Sequence, residues 1–165
     1  MTRTISLALL LGTALALGCN GEPELYINEL MADNKSTLDA DDGSYPDWIE
    51  IYNGSQKTIN LNGIYITDDL TKPTKWELSG LTIDAGGFLT LYADDDEDLG
   101  ANHLPFKLNK GGEELGLFRI SEGMTIQLDA VSFDKQETDV ATARKADGAS
   151  KWTTTTDPTP GKSNN

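Results

Sequence analysis

The chain has 165 residues, with 13 Lys and Arg against 27 Asp and Glu and a formal net charge of −14. A charge of that sign excludes a nucleic-acid partner, because a phosphate backbone demands a basic surface, and the length leaves room for little beyond one domain. Apolar residues make up 38% of the chain, and its 3 Trp, 5 Tyr and 4 Phe supply enough bulky side chains for a folded core.

Residues 1–18 read as an export signal: Met1-Thr2-Arg3 followed by the apolar run "ISLALLLGTALALG". The run is too short for a membrane-spanning helix, which needs about 20 apolar residues. Cys19, the sole cysteine, follows at once in "LALGC", so no intramolecular disulfide is available. This boundary resembles a bacterial lipoprotein signal. The resemblance implies that Cys19 becomes the lipid-bearing first residue, carrying acyl chains such as palmitate, and that Asn20 directs the protein to the outer membrane. Without residues 1–18 the chain keeps 12 basic and 27 acidic residues, a formal charge of −15. Residues 19–23 form a short tether, and "NGEPE" before the first strand spans at most ~17 Å, which would hold the domain against the membrane.

From residue 24 onward the pattern is short alternating runs: "LYINELM", "WIEIY", "INLNGIYIT", "FLTLYA", "LPFKLN", "ELGLFRI", "IQLDAVSF", then a weaker "TARK" and "KWTTT". Period two dominates, and no window carries a helical stripe. Turn residues separate the runs at Asn53-Gly54, Asn62-Gly63, 85–87 and 110–112. About seven to nine short strands predict an all-β antiparallel sandwich or barrel. Trp48, Ile51, Leu91, Leu117 and Val131 are expected in its core, from strands alternating toward one face. "TTTTDPTPGKSNN" at the end has no apolar anchor and reads as a strap or a frayed tail.

Several of these runs, in order, resemble the lamin tail domain family: "INELMADN", "DGSYPDWIEIYN", "INLNGIYITDD", "KWEL", "LTIDAGGFLTLYADD", "HLPFKLNKGGEELGLF", "LDAVSF", "ARKADGASKW" and "TPGKSN". The resemblance covers residues 24–165 and implies an immunoglobulin-like antiparallel β-sandwich. It also implies an interaction or architectural module, of a kind appended in bacteria to secreted and surface enzymes, here standing alone behind a lipid anchor.

The acidic, glycine-bearing "DADDGSYPDWIEIYN" at 39–53 invites a calcium reading. Setting Gly43 in the sixth place of a calcium loop puts Leu38 and Ala40 where acids belong, so the template fails. The residues read instead as a turn around Gly43 and Pro46, with Asp47 bonding nearby backbone amides and Trp48 delivered into the core. The resemblance makes these four a fold signature. "DDDED" at 94–98 reads as a solvated charged loop, and Asp94, Asp96 and Asp98 alternate as calcium ligands would, although Leu99 stands where the glycine of such a loop belongs. His103 is the one histidine, which excludes a two-histidine metal site, and it reads as a hydrogen-bonded structural residue. No serine lies in a GxSxG elbow, and HExxH, GxxxxGK[ST] and GxGxxG are absent. Paired carboxylates for glycoside hydrolysis are not excluded by motif among 27 acids.

These readings lead to a non-catalytic, cofactor-free module of the bacterial cell envelope that binds an envelope protein or surface polymer. A calcium-dependent adhesion or carbohydrate-binding domain is the alternative. A hydrolase would reveal itself by close, desolvated carboxylates with separated pKa values.

Overall fold

The computed structural model describes residues 23–40 and 42–164. Cys19, the signal 1–18 and all but the last residue of the tether 19–23 lie outside the described residues.

Twelve strands and one turn of 3₁₀ helix (Glu97–Leu99) follow one another among the described residues. The strands are β1 (Leu25–Met31), β2 (Asp47–Asn53), β3 (Ile59–Asn60), β4 (Ile64–Thr67), β5 (Trp76–Glu77), β6 (Thr82–Ile83), β7 (Phe88–Ala93), β8 (His103–Leu104), β9 (Gly112–Ser121), β10 (Met124–Asp134), β11 (Ala141–Arg144) and β12 (Trp152–Thr155). They build a six-stranded sheet in the order β12-β11-β1-β2-β7-β8 and a four-stranded sheet in the order β10-β9-β4-β5, with β3 and β6 as a small ribbon. The inner faces share one apolar cluster, with Leu25, Ile27, Ile49, Ile51 and Leu91 from the first sheet against Ile64, Ile66, Leu115, Leu117 and Val131 from the second. This is the immunoglobulin-like β-sandwich that the resemblance implies.

Strand pairing is antiparallel with one exception, the parallel pair of β7 and β8 (Tyr92 with His103, Ala93 with Leu104). A pairing of two residues needs only a short return, which the acidic loop supplies. Two runs also divide between different pairings. Within 59–67 the chain turns at Asn62-Gly63, with Gly63 at φ +76°, so β3 joins the ribbon and β4 the four-stranded sheet. In "LPFKLN" the alternation holds, since Leu104, Phe106 and Leu108 are buried, yet beyond β8 only a bridge between Asp94 and Lys107 pairs. Alternation reports which face is buried, while ladder pairing depends on a neighbour that sequence does not show.

A β-bulge lies between Ile27 and Glu29, where β1 meets β2, and Asn28 is the extra residue. The bulge brings Ile27 and Leu30 to the same inner face although three positions separate them. Ile27 has no partner on β11, whose pairing with β1 involves Glu29 and Leu30. Its N–H instead donates to Asp129 Oδ2 at 2.8 Å, and its carbonyl accepts from Arg144 Nε at 2.7 Å. Arg144 Nη2 completes the triangle with Asp129 Oδ2 at 2.7 Å, and the buried guanidinium lies 4.5 Å from the Trp152 ring. This ion pair ties β11 of one sheet to β10 of the other.

The terminal segment is a strap. Thr159, Gly161 and Asn164 bond to Glu29, Glu50, Asn28 and Arg144 on the outer face of the six-stranded sheet.

All five expected core residues are buried, but they do not share one face. In a period-two strand, Trp48 and Ile51 point to opposite sides. Ile51 faces the sandwich interior, whereas Trp48 packs on the outer face with Met31 and Ala141 under Leu38 and Tyr92. Its indole N–H meets no acceptor, so a phenyl ring in its place forfeits no hydrogen bond. Trp48→Ala should cost about 3–5 kcal/mol and Trp48→Phe markedly less in urea unfolding. Equal losses would show that the site is held by the indole and not by packing volume.

Candidate functional site

The signature residues 43–48 build a loop that closes on Asn34. Gly43 adopts φ +79°, which a glycine takes at little cost, and its N–H donates to the Ala40 carbonyl at 2.9 Å. The Asn34 side chain donates to the carbonyls of Leu38 (2.7 Å) and Pro46 (2.8 Å), and its Oδ1 accepts from Thr37. The Asn34 backbone N–H donates to Asp47 Oδ1 at 3.1 Å. Asp47 does bond a backbone amide, although one three residues beyond the end of β1 and not from its own turn. Burial pushes its carboxyl above the ordinary carboxylate range. Asn34 is the hub that the sequence reading passed over; the signal lay in "MADN", a short polar group directly after a buried strand.

The acidic loop divides into a structural first member and four exposed ones. Asp94 Oδ2 lies 2.6 Å from His103 Nδ1, and since a carboxylate only accepts, the ring N–H donates. His103 is 8% exposed, and its ring packs on Tyr92 at a centroid distance of 5.0 Å. It is therefore the hydrogen-bonded histidine that its context suggests. Asp95, Asp96, Glu97 and Asp98 are exposed. Asp94, Asp96 and Asp98 do not converge, and among the described residues no three His, Cys, Asp or Glu side chains come together as a metal site requires.

The two acidic stretches, far apart in sequence, meet at one end of the sandwich. A cleft of about 310 Å³ lies between them, lined by Asn34, Tyr45, Pro46, Asp47, Asp94 and Lys107 among others. Tyr45 is 44% exposed at its rim. A second cleft, of about 380 Å³, runs between the end of β10 and the β11–β12 pair, where Phe133, Gln136, Thr142 and Trp152 line it.

Sequence reading singled out no carboxylate pair, and the structure contains one. Glu29 and Glu50 face each other directly across β1 and β2, and both are fully buried. Burial raises Glu29 to about 6 and Glu50 to about 7. Both shifts run in the same direction, whereas acid–base work on a substrate needs them pushed apart. The strap lies over both and donates backbone N–H groups to them, and neither side chain is exposed.

The division of the acidic loop has a direct consequence. Asp94→Ala leaves a buried ring N–H without its acceptor and should cost about 1–3 kcal/mol in urea unfolding. The combined change Asp95→Asn, Asp96→Asn, Glu97→Gln and Asp98→Asn should leave the midpoint nearly unchanged. A collapse of the second variant would mean that the exposed acids support the fold.

The family model for the Lamin Tail Domain matches residues 20–145. The match ends one residue beyond β11, so β12 and the strap lie outside it. No curated protein and no solved structure matches the chain. With the sandwich, the Asn34-centred loop and a match over most of its length, the chain belongs to the lamin tail domain family, a family of non-catalytic immunoglobulin-like domains.

Proposed function

We propose that this protein is a non-catalytic module of the bacterial cell envelope, lipid-anchored through Cys19 at the outer membrane, and that it binds a protein or surface polymer through the acidic end of the sandwich. The observation that carries this reading is the meeting of exposed Tyr45 with Asp47 and Asp94 in one cleft, which Lys35 and Lys107 also line, with the four exposed acids Asp95–Asp98 following Asp94 in the chain. An aromatic side chain beside clustered carboxylates suits a basic partner surface, which the field attracts and the ring anchors. The absence of chemistry is part of the proposal: His103 Nδ1 is committed to Asp94, and Glu29 and Glu50 are closed off.

Capture from detergent-solubilised envelope tests the acidic end. The parent chain should retain a basic partner at about 0.05 M salt and release it at about 0.5 M, where the screening length falls to a few ångströms. The variant with Asp95, Asp96, Glu97 and Asp98 changed to amides should retain much less of the same partner. Equal capture by both chains would overturn the assignment. Capture abolished by EDTA but indifferent to salt would put calcium-dependent adhesion in its place. Membrane attachment is tested separately: Cys19→Ser should shift the protein to the soluble fraction, since stable anchoring needs more than one lipid signal and the parent's acyl chains supply it. Unchanged membrane fractionation of a processed mutant would refute the lipid anchor.

A further inference from the structure

The strap is bound to the sheet through two buried acids. Residues directly opposite in an antiparallel pair place their side chains about 5 Å apart, and like charges there repel. Glu29 and Glu50 occupy such positions beneath the strap. Thr159 donates to Glu29 Oε2 from its N–H at 3.0 Å and its hydroxyl at 3.3 Å. Glu50 accepts from Gly161 N–H at 2.6 Å and from the Asn28 amide at 3.1 Å. Glu29 Oε1, equally buried, meets no partner.

We propose that Glu29 and Glu50 form a proton-binding pair that latches the strap 156–164 over the outer face of the six-stranded sheet, closed while the pair holds a proton and loosened once both carboxyls ionise. A proton is the ligand that completes this set. It removes one of two opposed charges, and as the two carboxyls are coupled the proton belongs to the pair and not to either residue alone.

The surroundings contain nothing that would neutralise the pair otherwise. From β11, Ala143 lies opposite Glu29, and from β7, Thr90 lies opposite Glu50; neither carries charge. From the loop after β11 comes Asp147, which accepts from Asn28, Ser163 and Asn164 and adds negative charge. Lys145 and Asp157 line the cleft of about 200 Å³ that Glu29 borders, one charge offsetting the other. Arg144 is turned away to Ile27, Ala149 and Asp129. Lys162, on the strap, is exposed. Among the described residues no Lys or Arg bonds either carboxyl.

The direction of the pH effect follows. Both carboxyls lie above their ordinary value of 4.5, at about 6 and about 7, with burial the main cause. The stability they contribute is fully present below about 4.5 and is lost as pH rises through 6 to 7. Asp33, Asp69 and Asp139 are shifted down from 3.8 and act below this window.

The test is NMR on the full chain between pH 5 and pH 8. Side-chain carboxyl signals of Glu29 and Glu50 should titrate well above those of the exposed acids. Exchange protection of the Thr159 and Gly161 amides, corrected for intrinsic rates, should fall at least about tenfold across the range, while core amides such as Ile51 change less. Glu50→Gln should flatten that loss. Carboxyl titration near the ordinary value, or strap protection that does not vary with pH, would overturn the proposal even if the variant fails to fold. So would parallel changes at strap and core, which would make the effect global.

Discussion

Six of the seven residues of β1 are buried, Tyr26 being the exception. One edge pairs with β2 and the other with β11 at Glu29 and Leu30, the inner face lies in the sandwich core, and much of the outer face lies under the strap and Leu38. In such a position every polar group must find a partner within the protein, because an unmet buried donor or acceptor costs about as much as a lost hydrogen bond. The long-range polar contacts of the domain are arranged around that requirement. Ile27 is served by Asp129 and Arg144, Asn28 by Glu50, Asp147, Gly148 and Asn164, and Ala32 by Gln136. The bulge at Asn28 makes the demand sharper, since it takes Ile27 out of the ladder with β11.

The fold was largely legible because alternation and turn residues are local signals. Ile51, Leu91, Leu117 and Val131 could be assigned to the interior from spacing alone, and Asn62-Gly63 could be read as a turn. What spacing could not show was which strand neighbours which. The parallel partner of β7, the two-residue strands β5 and β6, and the division of 59–67 between two sheets all depend on distant segments. Trp48 shows the same limit from another side: its burial was legible, but the cover that makes its face an interior one comes from Leu38 and Tyr92. At the candidate site, the individual acids stood out in the sequence, whereas the meeting of Tyr45 with Asp94 required the fold. Glu29 and Glu50 could not be singled out, because nothing near them in sequence announces a cover more than a hundred residues away.

Net charge conceals how differently the acids behave. Asp42, Asp69 and Asp139 are held below the usual carboxylate range by hydrogen bonds from neighbouring Ser and Thr groups and backbone amides. Glu29 and Glu50 are raised by burial. Asp95–Asp98 face solvent and dominate the field at their end of the molecule. One residue chemistry thus serves turn formation, strap docking and a solvated charged surface, with the environment deciding which.

The connection between β1 and the strap bears on the order in which the domain can be completed. β1 is made early in the chain, yet its second edge is supplied by β11 and its outer cover by residues 159–164. During synthesis, which delivers the chain from its N-terminus, Glu29 and Asn28 must stay hydrated while almost all the other strands emerge. Pairing across such sequence separations is slow to form, since the loop-closure entropy is spent before the contact is gained. Glu29 and Asn28 thus change from solvated groups into anchors for the strap only when the rest of the domain is in place.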